Sequence, residues 1–162
     1  MDFEINKNLM AVIIFGGFAL LWIGFLTLLG KATGWAQLYT QLGSHDSPQI
    51  IGGQKKVYRF VSGYVNKSHY KNFLKVITTP YSLSIIAYFP YSFGHKTLII
   101  PWEKINFIKE EKTIFYNTAI LKLKAPINTE LKLPKGIFVH NEHVPARLSI
   151  SPTINPHENP YQ

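Results

Sequence analysis

From Asn8 to Gly30 the chain carries no charged side chain, and beyond about residue 55 its pattern turns to alternation. Residues 9–29, LMAVIIFGGFALLWIGFLTLL, are flanked by Lys7 and Lys31. At 1.5 Å per residue they span about 30 Å, the thickness of a hydrocarbon core. A cleaved signal peptide needs a basic leading region and a shorter apolar run. Here the lead is MDFEINKN, with Asp2 and Glu4, and the run is too long. The pattern predicts a retained single-pass transmembrane helix over 9–30, preceded by a short flank, 1–8. Gly17 and Gly24, seven apart, share one helix face and are candidates for packing against a second helix. The plainer reading is that glycine is common in membrane helices.

Trp35, Leu38, Tyr39 and Leu42 follow at i, i+3, i+4 and i+7, a single apolar stripe on a short helix. Its aromatic content suits the headgroup layer, so one expectation is an interfacial helix after a turn at Gly30 or Gly34. The alternative is that the stripe docks on the following domain. Residues 43–54, GSHDSPQIIGGQ, read as a turn-rich linker that completes a 31–54 segment.

A period of two then takes over. Tyr58, Phe60 and Tyr64 share one face of the segment 55–65, and Leu83, Ile85, Ala87 and Phe89 share one face of a later strand. Ala119, Leu121, Leu123 and Ala125 oppose Thr118, Lys122 and Lys124; Ile127, Thr129, Leu131 and Leu133 alternate after them. Segments 72–79, 96–101, 104–109 and 112–117 supply the others, for seven or eight strands in about eighty residues. Their separators are short: Thr79-Pro80, 90–95, Glu110-Glu111, Asn117-Thr118 and Ala125-Pro126. Short connections require antiparallel neighbours. The expected domain, 55–140, is an all-β antiparallel meander, closed as a small barrel or folded as a two-sheet sandwich. Phe and Tyr are expected to supply much of its core. Residues 141–162, with four prolines, are expected to be a disordered tail.

Composition sharpens this picture. A mean hydropathy of +0.03 with a net charge of +8 averages two unlike pieces. From residue 31 onward there are 16 Lys and Arg against 7 Asp and Glu. That excess leans toward a cytoplasmic β-domain, although each flank of the span holds one lysine, Lys7 and Lys31. Zero cysteine excludes disulfides, thiolate metal sites and a cysteine nucleophile.

Candidate chemistry is sparse. His140 and His143 could share a metal only on a helix, and Pro145 follows closely; a solvated loop is the plainer reading. A metal-assisted hydrolase built on this pair is the least favoured class. There is no G-x-S-x-G, no phosphate-binding glycine loop and no paired carboxylate in an apolar setting. Glu110-Glu111 reads as a hairpin turn, and His95 as a histidine capping a turn or packing beside Trp102. No enzyme and no cofactor are expected. Lys122 and Lys124 project from one strand face and could meet anionic headgroups; a solvated, solubilising surface is the plainer reading. Nucleic acid is disfavoured because the charge is scattered and no recognition motif accompanies it.

The segments GWAQL, YRFVSGYV, YKNFLKVITTPYSLSI and SFGHKTLIIPWEKI resemble a group of small bacterial single-pass membrane proteins of unknown function. In that group a Phe, Gly-His, Leu, Ile-Pro-Trp run links two strands; Phe93, Gly94, His95, Leu98, Ile100, Pro101 and Trp102 match it. The resemblance implies a bacterial inner-membrane location and no assigned catalysis. A weaker analogy is to bacterial pleckstrin-homology-like domains, a meander of seven strands. That fold closes one barrel end with a C-terminal helix, which this pattern lacks. The expected function is a membrane-anchored, non-catalytic interaction module that binds a protein partner or an anionic lipid surface. The alternative is an accessory subunit of a larger membrane complex.

Overall fold

In the computed structural model, residues 7–42, 54–66, 68–112, 117–125, 127 and 129–148 are described. Helix α1, Lys7–Ala32, is bare along most of its length; among its described side chains Leu26 is buried. It ends at Gly34, whose φ of +76° is the left-handed helix stop that glycine adopts without strain. Helix α2, Trp35–Leu42, starts at once, with the Leu38 N–H bonded to the Gly34 carbonyl at 2.9 Å.

Trp35, Leu38 and Leu42 are all buried in the core of the β-domain, and Tyr39 packs against it half-buried. The stripe expected along a headgroup layer therefore faces the sheet, the docking alternative. Most of the linker predicted after it, 43–53, lies outside the described residues.

Seven strands follow: β1 Lys56–Val65, β2 Ser68–Thr78, β3 Ser82–Ala87, β4 Leu98–Pro101, β5 Ile105–Lys112, β6 Asn117–Leu123 and β7 Glu130–Pro134. Every pairing is antiparallel, in the order β4-β3-β2-β1-β7-β6-β5. The outer strands β4 and β5 are consecutive in the chain and joined by the 3₁₀ turn Trp102–Lys104. The sheet thus curls nearly into a barrel. At this corner α2 packs on β4, and Lys104 Nζ donates to the Leu42 carbonyl at 3.1 Å. A helix before the sheet occupies the corner, where the pleckstrin-homology analogy led one to look for a helix after it.

The core faces of β3, β6 and β7 follow the alternation: Leu83, Ile85, Ala87, Ala119, Leu121, Leu123, Leu131 and Leu133 are buried. Strand β1 reverses the expectation. Phe60 takes φ +54°, and the β1–β2 register shifts between Tyr58 and Val61 and again before Gly63. The bulge turns Val61, Gly63 and Val65 inward and leaves Phe60 68% and Tyr64 39% exposed. Phe89, beyond the end of β3, also points outward, and Ala125 is exposed. Aliphatic residues fill most of the core, with Trp35, Tyr70, Trp102 and Phe138 as its large aromatics; the expected share from Phe and Tyr is smaller than predicted.

Glu110 and Glu111 are not a turn. They lie in β5, paired with Ala119 and Thr118, and Asn117 and Thr118 belong to β6. Of the expected strand 112–117, residues 113–116 lie outside the described set. The alternation from Ile127 to Leu133 yields one strand, β7, followed by a 3₁₀ turn, Lys135–Ile137. The tail expected from 141 does not describe residues 141–148. Asn141, His143, Val144 and Leu148 are buried, and Arg147 donates to the Trp102 carbonyl at 2.7 Å and the Ile105 carbonyl at 3.2 Å. Residues 149–162 are outside the described set.

Candidate functional site

The densest polar and aromatic chemistry lies where α1, α2 and the loop 88–97 converge. Gly94 sits against the last turns of α1: a Cβ on Gly94 would meet the Leu26 carbonyl oxygen at 2.6 Å and Thr27 Cα at 3.1 Å. Reciprocally, a Cβ on Gly30 would collide with the Gly94 carbonyl. Gly30 is thus not the turn but a contact inside α1. This glycine pair lets helix and loop backbones touch, and Leu26 is buried beside it.

His95, next in the chain, is buried beneath α2. Its ring packs edge-on against Trp35 at 4.8 Å between centroids, not against Trp102 as anticipated. Nδ1 lies 2.7 Å from the Tyr91 carbonyl and Nε2 lies 2.9 Å from Tyr70 Oη. A carbonyl only accepts, so in the neutral ring Nδ1 carries the hydrogen and Nε2 accepts from the tyrosine. The turn-capping part of the expectation thus describes this histidine. Burial lowers the His95 pKa, partly offset by the Tyr91 hydrogen bond. Burial likewise raises that of Tyr70, with Thr33 opposing it at 3.4 Å. Trp35 Nε1 donates to the Lys96 carbonyl at 2.7 Å, tying α2 to the strand approach.

Above this cluster lies a half-open pocket of about 230 Å³, lined by Trp35, Ala36, Tyr39, Thr40, Gly94 and Lys96. Lys96 Nζ stands 5.1 Å from the Tyr39 ring centroid, a cation–π distance. On the outer side of the same loop Phe89 and Phe93 are 71% and 54% exposed, their centroids 5.9 Å apart.

The other residues singled out from the sequence are scattered. Among Gly16, Gly17 and Gly24, an added Cβ meets nothing within 4 Å, so this helix face is open. Lys122 pairs with Glu130 at 3.0 Å, while Lys124 is exposed and bonds through its backbone to Lys104. Lys132 pairs with Glu111 and Lys135 with Glu110, both at 2.8 Å, so part of the basic face is neutralised. The Glu111 hydrogen bond raises the Lys132 pKa. His140 is exposed at φ +49°, and His143 is buried with its N–H bonded to Asn141 Oδ1, which corrects the solvated-loop reading for His143. Among the described residues no group of three or more His, Asp or Glu is placed to share a metal.

Apart from the exposed Phe93, the run matched to the bacterial group has a structural role at each position. Gly94 admits α1, Leu98 and Ile100 fill the core, and Pro101 leads into the 3₁₀ turn. Trp102 is buried with Nε1 donating to the Thr79 carbonyl at 2.8 Å. The sequence reading missed Gly30 as a contact, Tyr70 as a histidine partner and Phe89 as an exposed group. The one available signal was the absence of charge from Val76 to Gly94.

No known family model matches the chain, and no curated protein is similar to it. Among solved structures, the Vps36 N-terminal PH domain is similar at 15% identity over 49% of this chain, with a TM-score of 0.38. The match covers 66% of that chain, just under two thirds. The class defined by the coordinates is one long apolar N-terminal helix followed by a nearly barrel-shaped antiparallel sheet.

Proposed function

We propose that this protein is a membrane-anchored, non-catalytic interaction module. Helix α1 crosses the bilayer and holds the β-domain at its surface, ready for a protein partner or anionic lipid. The observation that carries this reading is the contrast along α1. After Lys7 its first five turns are charge-free and bare, whereas its last turns are locked to the domain through Leu26, Gly30 and Gly94. A charge-free helix with no protein around it finds its favourable surroundings in lipid. The module is read as non-catalytic because both ring nitrogens of the buried His95 are engaged within the fold. The lysine excess beyond residue 31 favours the cytoplasmic side, and the resemblance to the bacterial group favours a bacterial inner membrane.

Alkaline carbonate extraction tests the anchoring. The full chain is expected to stay in the membrane pellet, and a chain lacking 8–25 to be released. Full release of the intact chain would show that α1 does not span. The subunit reading draws on the open glycine face of α1, which would admit a second helix. Recovery of a stoichiometric partner in mild detergent, lost on Gly17→Leu/Gly24→Leu, would favour it.

A further inference from the structure

We infer that the aromatic loop 88–94 is a second membrane contact, with Phe89 and Phe93 seated at the boundary between headgroups and acyl chains. The inference rests on the reading of α1 as a membrane span. Height along the helix is its first support. Gly94 touches α1 at Leu26, Thr27 and Gly30, and Lys31 is the first charge beyond the apolar run. At 1.5 Å per residue the contact lies about 2 to 8 Å to the lipid side of Lys31. Amphipathic elements that lie in a membrane interface bury their apolar face about 5–10 Å deep. The loop is held by backbone contact at that depth.

Chemistry is the second support. Phe89 and Phe93 are 71% and 54% exposed and touch each other, although most buried positions elsewhere in the domain are filled by aliphatics. From Val76 to Gly94 there is no charged residue; the first cation after it, Lys96, stands over the Tyr39 ring. An apolar tip followed by a lysine beside an aromatic ring is the order met on passing from acyl chains to headgroups. The third support is continuity. The loop abuts α1 beside the exposed Phe25 and Leu28, so the bilayer that covers those side chains reaches the loop without a gap. The occupant is therefore lipid, not a soluble protein.

The absence of cysteine allows a clean test in the full chain. Phe89→Cys, Phe93→Cys, Leu20→Cys and Lys124→Cys are each labelled with an environment-sensitive nitrobenzoxadiazole dye. Each is reconstituted in phosphatidylethanolamine–phosphatidylglycerol vesicles. The expected result is blue-shifted emission at 89 and 93, lost with lipids whose doxyl group lies near the headgroup and insensitive to aqueous iodide. The label at 20 is expected to lose emission to deep doxyl lipid, and the label at 124 to iodide. Iodide quenching at 89 and 93 beside deep doxyl quenching at 20 would overturn the inference and leave the span standing. Blue-shifted emission at 89 and 93 that doxyl lipid does not quench would overturn it in favour of a covering protein or second copy. Loss of doxyl quenching at 20 would remove the span and the inference together.

Discussion

Replacing Gly94 by alanine adds one methyl group at a place where two backbones touch. Gly94 has φ −113° and ψ 0°, a conformation open to alanine, so the expected cost is steric and not conformational. The new Cβ would lie 2.6 Å from the Leu26 carbonyl oxygen, whereas ordinary contact begins at 3.4 Å. Helix and loop must part by the difference, 0.8 Å. Neither side is a flexible side chain that could swing away. A gap of about 0.5–1 Å forfeits a quarter to a half of the dispersion energy of the atoms it separates. With the strain of an overfilled contact, the total is about 1–3 kcal/mol. For a domain near 100 residues each kcal/mol lowers Tm by roughly 4–8 °C, so a fall of at least about 4 °C is expected. Thermal unfolding in detergent micelles by near-ultraviolet circular dichroism reads it directly, because Trp35, Tyr70 and His95 lie beside the contact. Gly136→Ala is the reference, since a Cβ there meets nothing within 4 Å. Gly30→Ala should resemble Gly94→Ala, and the double variant should lose less than the sum, because one separation serves both. Equal melting of Gly94→Ala and Gly136→Ala would refute the helix–loop contact.

Three further outcomes follow from single features. Because the folded His95 pKa lies below its ordinary 6.5, the unfolded chain takes up the proton first; stability is full above that pH and lost as pH falls through the folded value. His95→Gln should flatten the Tm–pH slope as pH falls below 6.5, and an unchanged slope would absolve His95. Ending the chain after residue 140 exposes the sites of Val144 and Leu148, 6% and 2% accessible, and removes Asn141 from Thr78 and the Ile137 carbonyl. At about 1.5–3 kcal/mol per buried side chain the loss is at least about 3 kcal/mol, and an unshifted denaturant midpoint would contradict it. Ser84 Oγ is buried without a partner among the described residues, so Ser84→Ala should raise the denaturant midpoint by about 1 kcal/mol of stability. A lower midpoint would reveal a hidden partner.

What could be read from residues was local, and what could not be read was mostly a matter of close approach. The alternation of Ala119, Leu121 and Leu123 against Thr118 and Lys122 is visible in the chain and survives in β6, because no bulge interrupts its buried positions. The same reasoning inverted β1. Phe60 adopts a positive φ that phenylalanine rarely takes, and no composition signal marks such a bulge. The pairing of β1 with β7 rests on Tyr64–Lys132 and Val65–Leu131, contacts between distant segments that periodicity does not address. Trp35, Leu38 and Leu42 were legible as one face, but the same stripe suits an interface or a core. The site was less legible still. Tyr70, His95 and Trp35 belong to three elements that meet only once the sheet has curled.

The position of the linker bears on what kind of anchor the proposed membrane span would be. A flexible tether between span and domain would let the domain wander, and its benefit to binding would be a raised local concentration that falls with tether length. Here the predicted linker segment, 43–54, comes after α2, and α2 is already part of the core. Between α1 and the first buried residue of the domain stand only Thr33 and Gly34. Thr33 is itself held, its carbonyl accepting from Asn66 Nδ2 at 3.4 Å and its hydroxyl meeting Tyr70 Oη at the same distance. Together with the Gly30–Gly94 contact, these bonds mount the sheet on the helix in one orientation. In the proposed membrane module a partner would therefore meet the domain at a set height, which would favour membrane-bound ligands over soluble ones of equal intrinsic affinity. Inserting a flexible run between Thr33 and Gly34 would turn the mount into a tether. Binding to a soluble partner would then persist while binding to a membrane-embedded one fell, and equal retention of both would show that orientation has no role.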